Sequence, residues 1–191
     1  MKATSKIKKR EDRFEIRLSG SGGQGLILAG VMLAEAVGTG DGKNVVQTQS
    51  YGPEARGGAS RSDLVISEGE IYYPKTMKLD LLLALTQEAC DKYYPDLKEN
   101  GILVIDSVMV TQVPTKRYYG FPFMRLAKEE IGQVMVANVI ALGAIAELTD
   151  IVSRDALKNV VLRRAPRGTE EKNQKALELG MAITKKVKKP N

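Results

Sequence analysis

The sequence contains no histidine and no tryptophan, and it has a single cysteine, Cys90, among its 191 residues. Without histidine the chain has neither a Ser-His-Asp triad nor an imidazole ligand for a metal or haem. One cysteine cannot form an intrachain disulfide, a CxxC redox pair or a four-thiolate cluster site. We therefore expect no catalytic residue and no metal ligand set in this chain, and we interpret Cys90 as a packing residue.

Long apolar runs are also missing, since none approaches the roughly 20 residues that a membrane-spanning helix needs. Residues 1–13 are rich in charge, and no apolar signal segment follows them. These features predict a cytoplasmic protein that does not interact with membranes.

The net charge of +6 is concentrated in the terminal segments. Residues 1–13 and 181–191 carry +4 each, which leaves −2 on residues 14–180. A nucleic-acid-binding domain needs a basic face on its folded part, and aromatic residues make up only 5% of this chain. We therefore expect basic tails at residues 1–13 and 188–191, a single domain at 14–187, and no nucleic-acid partner.

Short apolar runs alternate with helical patterns along the chain. This alternation predicts a single α/β domain with a mostly parallel sheet covered by helices on both faces. Residues 71–73 are expected to extend the third strand into a hairpin or meander, and residues 118–123 to be irregular. The predicted strands are 14–19, 44–49, 61–67, 80–85 and 101–106. The predicted helices are 26–37, 87–98 (broken near Pro95), 133–148, 153–162 (capped by Ser153) and 169–187 (capped by Thr169).

A glycine-rich motif, G-x-G-x-x-G, lies between the first predicted strand and the first predicted helix. Its glycines permit positive φ and close backbone approach, and the free amides of the helix start attract an anion. A dinucleotide is disfavoured because the second strand ends without an acidic residue. Another phosphate-bearing ligand, a partner chain, or simple packing of strand on helix remain open. The residues concerned are Gly20, Gly22, Gly23, Gln24 and Gly25.

A second loop, YGPEARGG at residues 51–58, follows the second predicted strand. Ligands of parallel-sheet domains bind at the carboxyl ends of strands, so this loop should lie beside the glycine motif. Arg56 either pairs with a ligand phosphate or carboxylate, or pairs with an acid such as Glu54 and stiffens the loop. The candidate site residues here are Tyr51, Gly52, Glu54, Arg56, Gly57 and Gly58.

Three further positions are candidates for structural or site roles. Asn138 lies in an apolar helix, and a buried amide there needs partners, either in the glycine motif or on another subunit. Asp106 ends a predicted strand, where it either caps a loop or binds a ligand. Gly143 lies among alanines and indicates a close helix contact, with the sheet or with a partner chain.

The two loops together resemble the gamma subunit of 2-oxoacid:ferredoxin oxidoreductases, most closely the 2-oxoglutarate branch. The resemblance covers roughly residues 14–150 and implies a Rossmann-like fold with a glycine-rich first βα turn. It is carried by GSGGQG (20–25), YGPEARGG (51–58), RSD (61–63), DLLLAL (80–85), LVIDS (103–107) and NVIALG (138–143).

This resemblance implies a supporting role in oxidative decarboxylation of a 2-oxoacid to acyl-CoA, CO2 and reduced ferredoxin. Thiamine pyrophosphate, Mg and the iron–sulfur clusters are expected on other subunits, coenzyme A is the co-substrate, and ferredoxin is reached through the complex. The glycine motif is expected to face coenzyme A phosphates or a neighbouring subunit. Isolated from its partners, the chain is expected to form a homodimer and to be inactive.

Three alternatives remain open from the sequence. The complex could belong to the pyruvate or branched-chain 2-oxoacid branch of the same family. The chain could instead be a stand-alone nucleotide- or CoA-binding module, which requires a complete ligand site within one chain. Finally, it could be a scaffold subunit whose glycine motif binds nothing.

Overall fold

A computed structural model describes residues 13–50, 59–185 and 187, and in these residues the chain forms one six-stranded sheet. The strand order is β2-β3-β1-β4-β5-β6. The pairs β1–β4, β4–β5 and β5–β6 are parallel, whereas β3 runs antiparallel to both β1 and β2. The strands are β1 (Arg13–Ser21), β2 (Asn44–Ser50), β3 (Ala59–Ser67), β4 (Leu79–Ala84), β5 (Leu97–Asp106) and β6 (Tyr119–Phe121).

Six α-helices connect or follow these strands within the described ranges. No helix there is both long and apolar enough to cross a bilayer. Short π- and 3-10 segments extend or precede several of the helices, at Ala36–Gly40, Tyr94–Asp96, Ala127–Ile131 and Val134–Val136. The α-helices are α1 (Leu26–Glu35), α2 (Gln87–Tyr93), α3 (Phe123–Leu126), α4 (Ala137–Thr149), α5 (Arg154–Arg164) and α6 (Glu170–Thr184).

Helices cover both faces of the sheet, which confirms the predicted layers. One face buries a large apolar core beneath α1, α4, α5 and α6. The other face carries α2 and a smaller apolar cluster that includes Cys90 and Tyr93. Adjacent leucines of β4, Leu82 and Leu83, belong to different cores because successive side chains of a strand point to opposite faces.

The close helix contact indicated by Gly143 lies within the chain, between α4 and α6. A Cβ on Gly143 would lie 2.3 Å from the Leu177 carbonyl oxygen, and one on Gly180 would lie 2.0 Å from the Ile140 carbonyl oxygen. Both glycines therefore allow the two backbones to approach directly. This contact joins α6 to the main core.

Two sequence-based predictions are wrong. The third strand does not form a hairpin or meander with residues 71–73, which lie outside any strand. It pairs instead with β1 along its whole length and with β2 over residues 61–67. Residues 118–123 are not irregular, because β6 pairs with β5 and α3 begins at Phe123. A strand of three residues is too short to give a recognisable alternation.

The predicted helix caps differ in outcome. Ser153 caps α5, since its hydroxyl accepts a hydrogen bond from the Ala156 amide at 3.3 Å. Thr169 precedes α6 without a side-chain cap to the backbone. Its hydroxyl instead donates to the Pro166 carbonyl at 2.7 Å and accepts from the Asn173 side chain at 3.0 Å.

The predicted domain boundaries remain predictions. The first described strand begins at Arg13, at the end of the segment expected to be a basic tail. Residues 1–12 and 188–191 lie outside the described residues.

Candidate functional site

The glycine motif forms the connection between β1 and α1. Gly20 still belongs to β1, so the turn is shorter than the motif and begins at Gly22. Gly23 and Gly25 have φ of +86° and +70°, a left-handed conformation that residues with a side chain rarely adopt. A Cβ on Gly20 would lie 2.2 Å from the Gln24 Oε1 and would displace that side chain from its hydrogen bond to the Ser21 amide. Local structure therefore accounts for glycine at three positions of the motif, 20, 23 and 25.

Gly22 differs from the other glycines of the motif. It is exposed, its φ is not positive, and a Cβ built on it would meet no atom within 4 Å. Neither strain nor packing within the described residues requires glycine at this position. Among the described residues, the space next to Gly22 is free.

Gln24 closes the turn on itself. Its side-chain Oε1 accepts a hydrogen bond from the Ser21 backbone amide at 2.8 Å, and the backbone amide of Gln24 donates to the Ser21 carbonyl at 3.4 Å. The side chain thus fixes the path of the chain where it leaves the sheet. This role is structural and keeps the turn rigid for the helix that follows.

The first turn of α1 is a favourable position for an anion. The N-cap residue of the helix is Gly25, which has no side chain to cap it, and the first turn of the helix contains no acidic residue. The first backbone hydrogen bond of the helix runs from the Ala29 amide to the Gly25 carbonyl at 2.9 Å. The amides before Ala29 belong to the first turn, where helix amides lack intrahelical acceptors and carry the positive end of the helix dipole.

Asn138 reaches the glycine turn from the first turn of α4. Its side-chain amide donates to the Gly25 carbonyl at 3.0 Å, and the residue is only 5% exposed. Its Oδ1 is buried and has no hydrogen-bond partner among the described residues. A buried amide oxygen without a donor is costly, by roughly 1–3 kcal/mol, which makes it a place where an incoming donor would be stabilised.

The second candidate loop, residues 51–58, lies outside the described residues. It contains Tyr51, Gly52, Glu54, Arg56, Gly57 and Gly58, whose contacts are therefore not described. The strand ends on either side of it are described. Ala59 pairs with Ser21, beside the glycine turn, and Ser50 pairs with Arg61 on the neighbouring strand. These two strand ends thus lie at the end of the sheet that carries the turn.

Asp106 acts as a loop cap. It is fully buried, and its Oδ1 accepts hydrogen bonds from the Val108 amide at 2.9 Å and the Met109 amide at 3.2 Å. Its Oδ2 accepts a third, from the Met124 amide at 2.8 Å. Both oxygens of this carboxylate are therefore occupied by the backbone that follows β5 and β6.

Cys90 is buried in the smaller core, as a packing residue would be. Burial raises the pKa of its thiol to about 11, and the nearby charge of Asp91 acts in the same direction. A thiol with this pKa is almost entirely protonated at neutral pH and is a poor nucleophile and metal ligand. Among the described residues, no three acidic or cysteine side chains are grouped to hold a metal ion.

Sequence reasoning missed a buried charged network on the face that carries α2. Arg17, only 4% exposed, donates Nε and Nη2 to the two carboxylate oxygens of Asp63 at 2.7 and 2.9 Å. Its Nη1 donates to Asp96 Oδ2 at 2.5 Å. Burial opposes the charge of Arg17, but these two carboxylates outweigh that effect and raise its pKa. The polar positions alternating along β1 and β3 were the available signal.

Comparisons with known proteins agree with this architecture. The family model described as pyruvate ferredoxin/flavodoxin oxidoreductase matches residues 15–183. The chain is 49% identical to the 2-oxoglutarate synthase subunit KorC of Methanocaldococcus jannaschii, over 92% of this chain and 96% of the relative. It is 28% identical to the pyruvate synthase subunit PorC of Methanothermobacter thermautotrophicus, over 92% of this chain and 98% of that one.

A solved structure resembles the whole fold. It is the gamma subunit of a keto/oxoacid ferredoxin oxidoreductase from Geobacter sulfurreducens, 50% identical to this chain, with a TM-score of 0.83. The match covers 90% of this chain and 96% of the other. The glycine turn, α1 and α4 lie within the range of the family model.

Proposed function

Because the chain belongs to the pyruvate ferredoxin/flavodoxin oxidoreductase family and is the gamma subunit of a 2-oxoacid:ferredoxin oxidoreductase, we propose that its complex acts on 2-oxoglutarate. The difference in identity supports this choice, at 49% for a 2-oxoglutarate synthase subunit against 28% for a pyruvate synthase subunit. The reaction would convert 2-oxoglutarate and coenzyme A to succinyl-CoA and CO2, with two electrons passing to ferredoxin.

Thiamine pyrophosphate, Mg and the iron–sulfur clusters would be held by the other subunits of this complex. The single cysteine of this chain is buried and protonated, so it does not fit a cluster. The complex would work in the cytoplasm, and this chain would be inactive without its partners. What this chain contributes is backbone and side-chain hydrogen bonding at the end of the sheet.

Within that complex, we infer that the glycine turn contacts a phosphate of coenzyme A. The observation that carries this inference is the combination of a glycine at the N-cap of α1, the exposed Gly22 and the Oδ1 of Asn138, which has no hydrogen-bond partner among the described residues. The helix amides would bind phosphate oxygens, and the Asn138 Oδ1 would accept from an N–H or O–H of the same ligand. Coenzyme A offers both kinds of group, whereas a partner subunit would need an acidic side chain at the turn.

The substrate is tested by measuring 2-oxoacid-dependent viologen reduction in the complex, co-purified without oxygen through a tag on this chain. We expect 2-oxoglutarate to give a kcat/KM at least tenfold above that for pyruvate or a branched-chain 2-oxoacid. A higher kcat/KM for pyruvate would assign the complex to the pyruvate branch. Purification of the chain alone, without a thiamine-binding or cluster-binding subunit, would favour a stand-alone binding module.

The coenzyme A contact is tested by Gly22→Asp, with Gly22→Asn as its matched control. The two side chains have the same shape, and a Cβ at Gly22 meets no described atom within 4 Å, but only aspartate places a negative charge where the phosphate would bind. We expect Gly22→Asp to raise the KM for coenzyme A about tenfold, which corresponds to roughly 1.4 kcal/mol, and Gly22→Asn to change it little. Equal effects of the two variants would contradict an anion at the turn, and loss of assembly in Gly22→Asp alone would indicate a partner subunit there.

A further inference from the structure

A second polar site lies on the opposite face of the sheet, beside α2. Strand register places Ser50 opposite Arg61 and Thr48 opposite Asp63, with Arg17 opposite Asp63 on the other side. Residues directly opposite each other in paired strands project from the same face. These five side chains therefore form a continuous polar surface on β2, β3 and β1.

Part of this surface is neutralised internally. Both carboxylate oxygens of Asp63 accept from Arg17, and Oδ2 also accepts from the Thr76 hydroxyl at 3.0 Å. Arg61 comes no closer than 3.7 Å to that oxygen, through its Nε. Asp63 is thus committed to Arg17 and satisfies little of the hydrogen-bonding capacity of Arg61.

The guanidinium of Arg61 is nevertheless held in place. It lies over the ring of Tyr93 at 5.6 Å from the ring centre, and the Arg17 guanidinium lies 4.8 Å from the same centre. Stacking on an aromatic ring restrains the planar group without using its N–H donors. Arg61 makes no hydrogen bond to any described residue, and its side chain is 35% exposed.

A cavity of about 270 Å³ opens in front of Arg61. We call it the Arg61 cavity; Lys75, Thr48 and Ser50 also line it. The hydroxyls of Thr48 and Ser50 have no hydrogen-bond partner among the described residues. Arg61, Lys75 and these two hydroxyl residues line one space, and the one carboxylate residue among its described lining residues, Asp63, is paired with Arg17.

We propose that the Arg61 cavity binds a phosphate group. Arginine donates through a planar fork that matches phosphate oxygens, lysine adds a point charge, and hydroxyls complete the coordination of a dianion. The group could be inorganic phosphate or the monoester of a nucleotide-like ligand. The site is separate from the glycine turn, because Arg61 projects toward α2 whereas α1 covers the opposite face.

The test is a titration of the full-length chain with inorganic phosphate, followed by 1H–15N NMR at constant ionic strength with chloride as the reference anion. We expect the amides of residues 48–50 and 61–63 to shift with a common Kd. Arg61→Gln should weaken that Kd at least tenfold, and Lys75→Gln several-fold. Lys92→Gln is the matched control, since Lys92 also lies 5.6 Å from the Tyr93 ring but does not line the cavity.

Further titrations distinguish inorganic phosphate from an esterified phosphate, and a conservative variant of Arg61 controls for loss of folding. Tighter binding of adenosine 3′-phosphate than of inorganic phosphate, with adenosine alone giving no shift, would identify an esterified phosphate, and equal affinities would identify the free ion. Arg61→Lys keeps the charge without the fork and should show intermediate affinity. Unchanged phosphate affinity in Arg61→Gln, or shifts confined to residues 22–28, would overturn the proposal. Because Gly22→Asp acts only at the glycine turn, it should leave the shifts at 48–50 and 61–63 unchanged.

Discussion

The face of the sheet that carries α1, α4, α5 and α6 buries a large apolar core, whereas the face that carries α2 buries charged side chains beside a smaller apolar cluster. On the first face, Leu18 and Leu83 lie beneath four helices and are at most 1% exposed. On the second, Glu15, Arg17 and Asp63 are at most 6% exposed and form hydrogen bonds with neighbouring side chains or nearby backbone. One short helix, α2, covers that face together with the segment that precedes β4.

The two faces of the sheet differ in how they contribute to the stability of the fold. Each fully buried leucine contributes roughly 1.5–3 kcal/mol, so the α1 face supplies most of the favourable free energy of folding. A buried ion pair contributes little net stability, because desolvation offsets its Coulomb energy. Breaking such a pair is costly, however, since one charge is left buried alone. On the charged face, replacing one partner of an ion pair should therefore lower the free energy of unfolding more than replacing both partners with apolar residues.

The largest expected effect is that of Arg17→Met. Removing the guanidinium leaves the Asp63 carboxylate buried without its partner, and the free energy of unfolding should fall by about 3–5 kcal/mol. The double variant Arg17→Met/Asp63→Leu removes both charges and should recover most of that loss. Chemical denaturation of the single variants and the double variant measures the coupling. Additive losses in the double variant would show that the network is not a coupled ion pair.

A smaller loss is expected from Gly180→Ala in the helix layer of the apolar face. The new Cβ would lie 2.0 Å from the Ile140 carbonyl oxygen, so α6 must move away from α4. Overpacking of this kind costs roughly 1–3 kcal/mol. Gly22→Ala is the control, because its Cβ meets nothing within 4 Å. Equal thermal stabilities of the two variants would contradict the close contact.

The apolar face was the more predictable of the two from the sequence. The apolar runs of β4 and β5 and the apolar patterns of α1 and α4 are sufficient to predict these elements from the sequence. The observed ends of the elements differ from the predicted ends by a few residues. The glycine motif was placed correctly because positive φ at Gly23 and Gly25 is a local requirement. The partner of β3 was not predictable in this way, since it depends on register between strands.

The charged face was missed for a related reason. Arg17 and Asp63 are 46 residues apart in sequence, and nothing local to either predicts that the other will neutralise it. Alternating polar residues in a strand normally indicate a solvated face. The proximity of Asn138 to Gly25, 113 residues away, was foreseen as one of two alternatives only because a buried amide must find a partner.

Asn138→Leu should separate stability from binding at the glycine turn. The variant loses the hydrogen bond to the Gly25 carbonyl, worth about 1 kcal/mol, but also removes a buried oxygen that lacks a donor among the described residues. These effects oppose each other, so the free energy of unfolding of the isolated chain should change by less than about 1 kcal/mol. The KM for coenzyme A of the complex should rise several-fold. A large loss of stability with an unchanged KM would make Asn138 purely structural.

The smallest effect concerns Cys90 and appears only at high pH. Burial raises the pKa of this thiol from an ordinary value of 9.0 to about 11. Between these values the unfolded chain loses the thiol proton while the folded chain keeps it, so the thiol makes the folded state less stable as the pH rises. Subtracting the pH dependence of Cys90→Ala from that of the wild type should isolate this decline between pH 9 and pH 11.

The comparison with Cys90→Ala is needed because lysines and tyrosines also titrate in this range. Urea denaturation at pH 8, 9, 10 and 11 gives the two stability profiles. Parallel profiles would mean that the thiol is as ionisable in the folded chain as in the unfolded one. The α2 face would then be more open to water than its packing indicates, and reaction of Cys90 with a thiol reagent at pH 8 would be correspondingly fast.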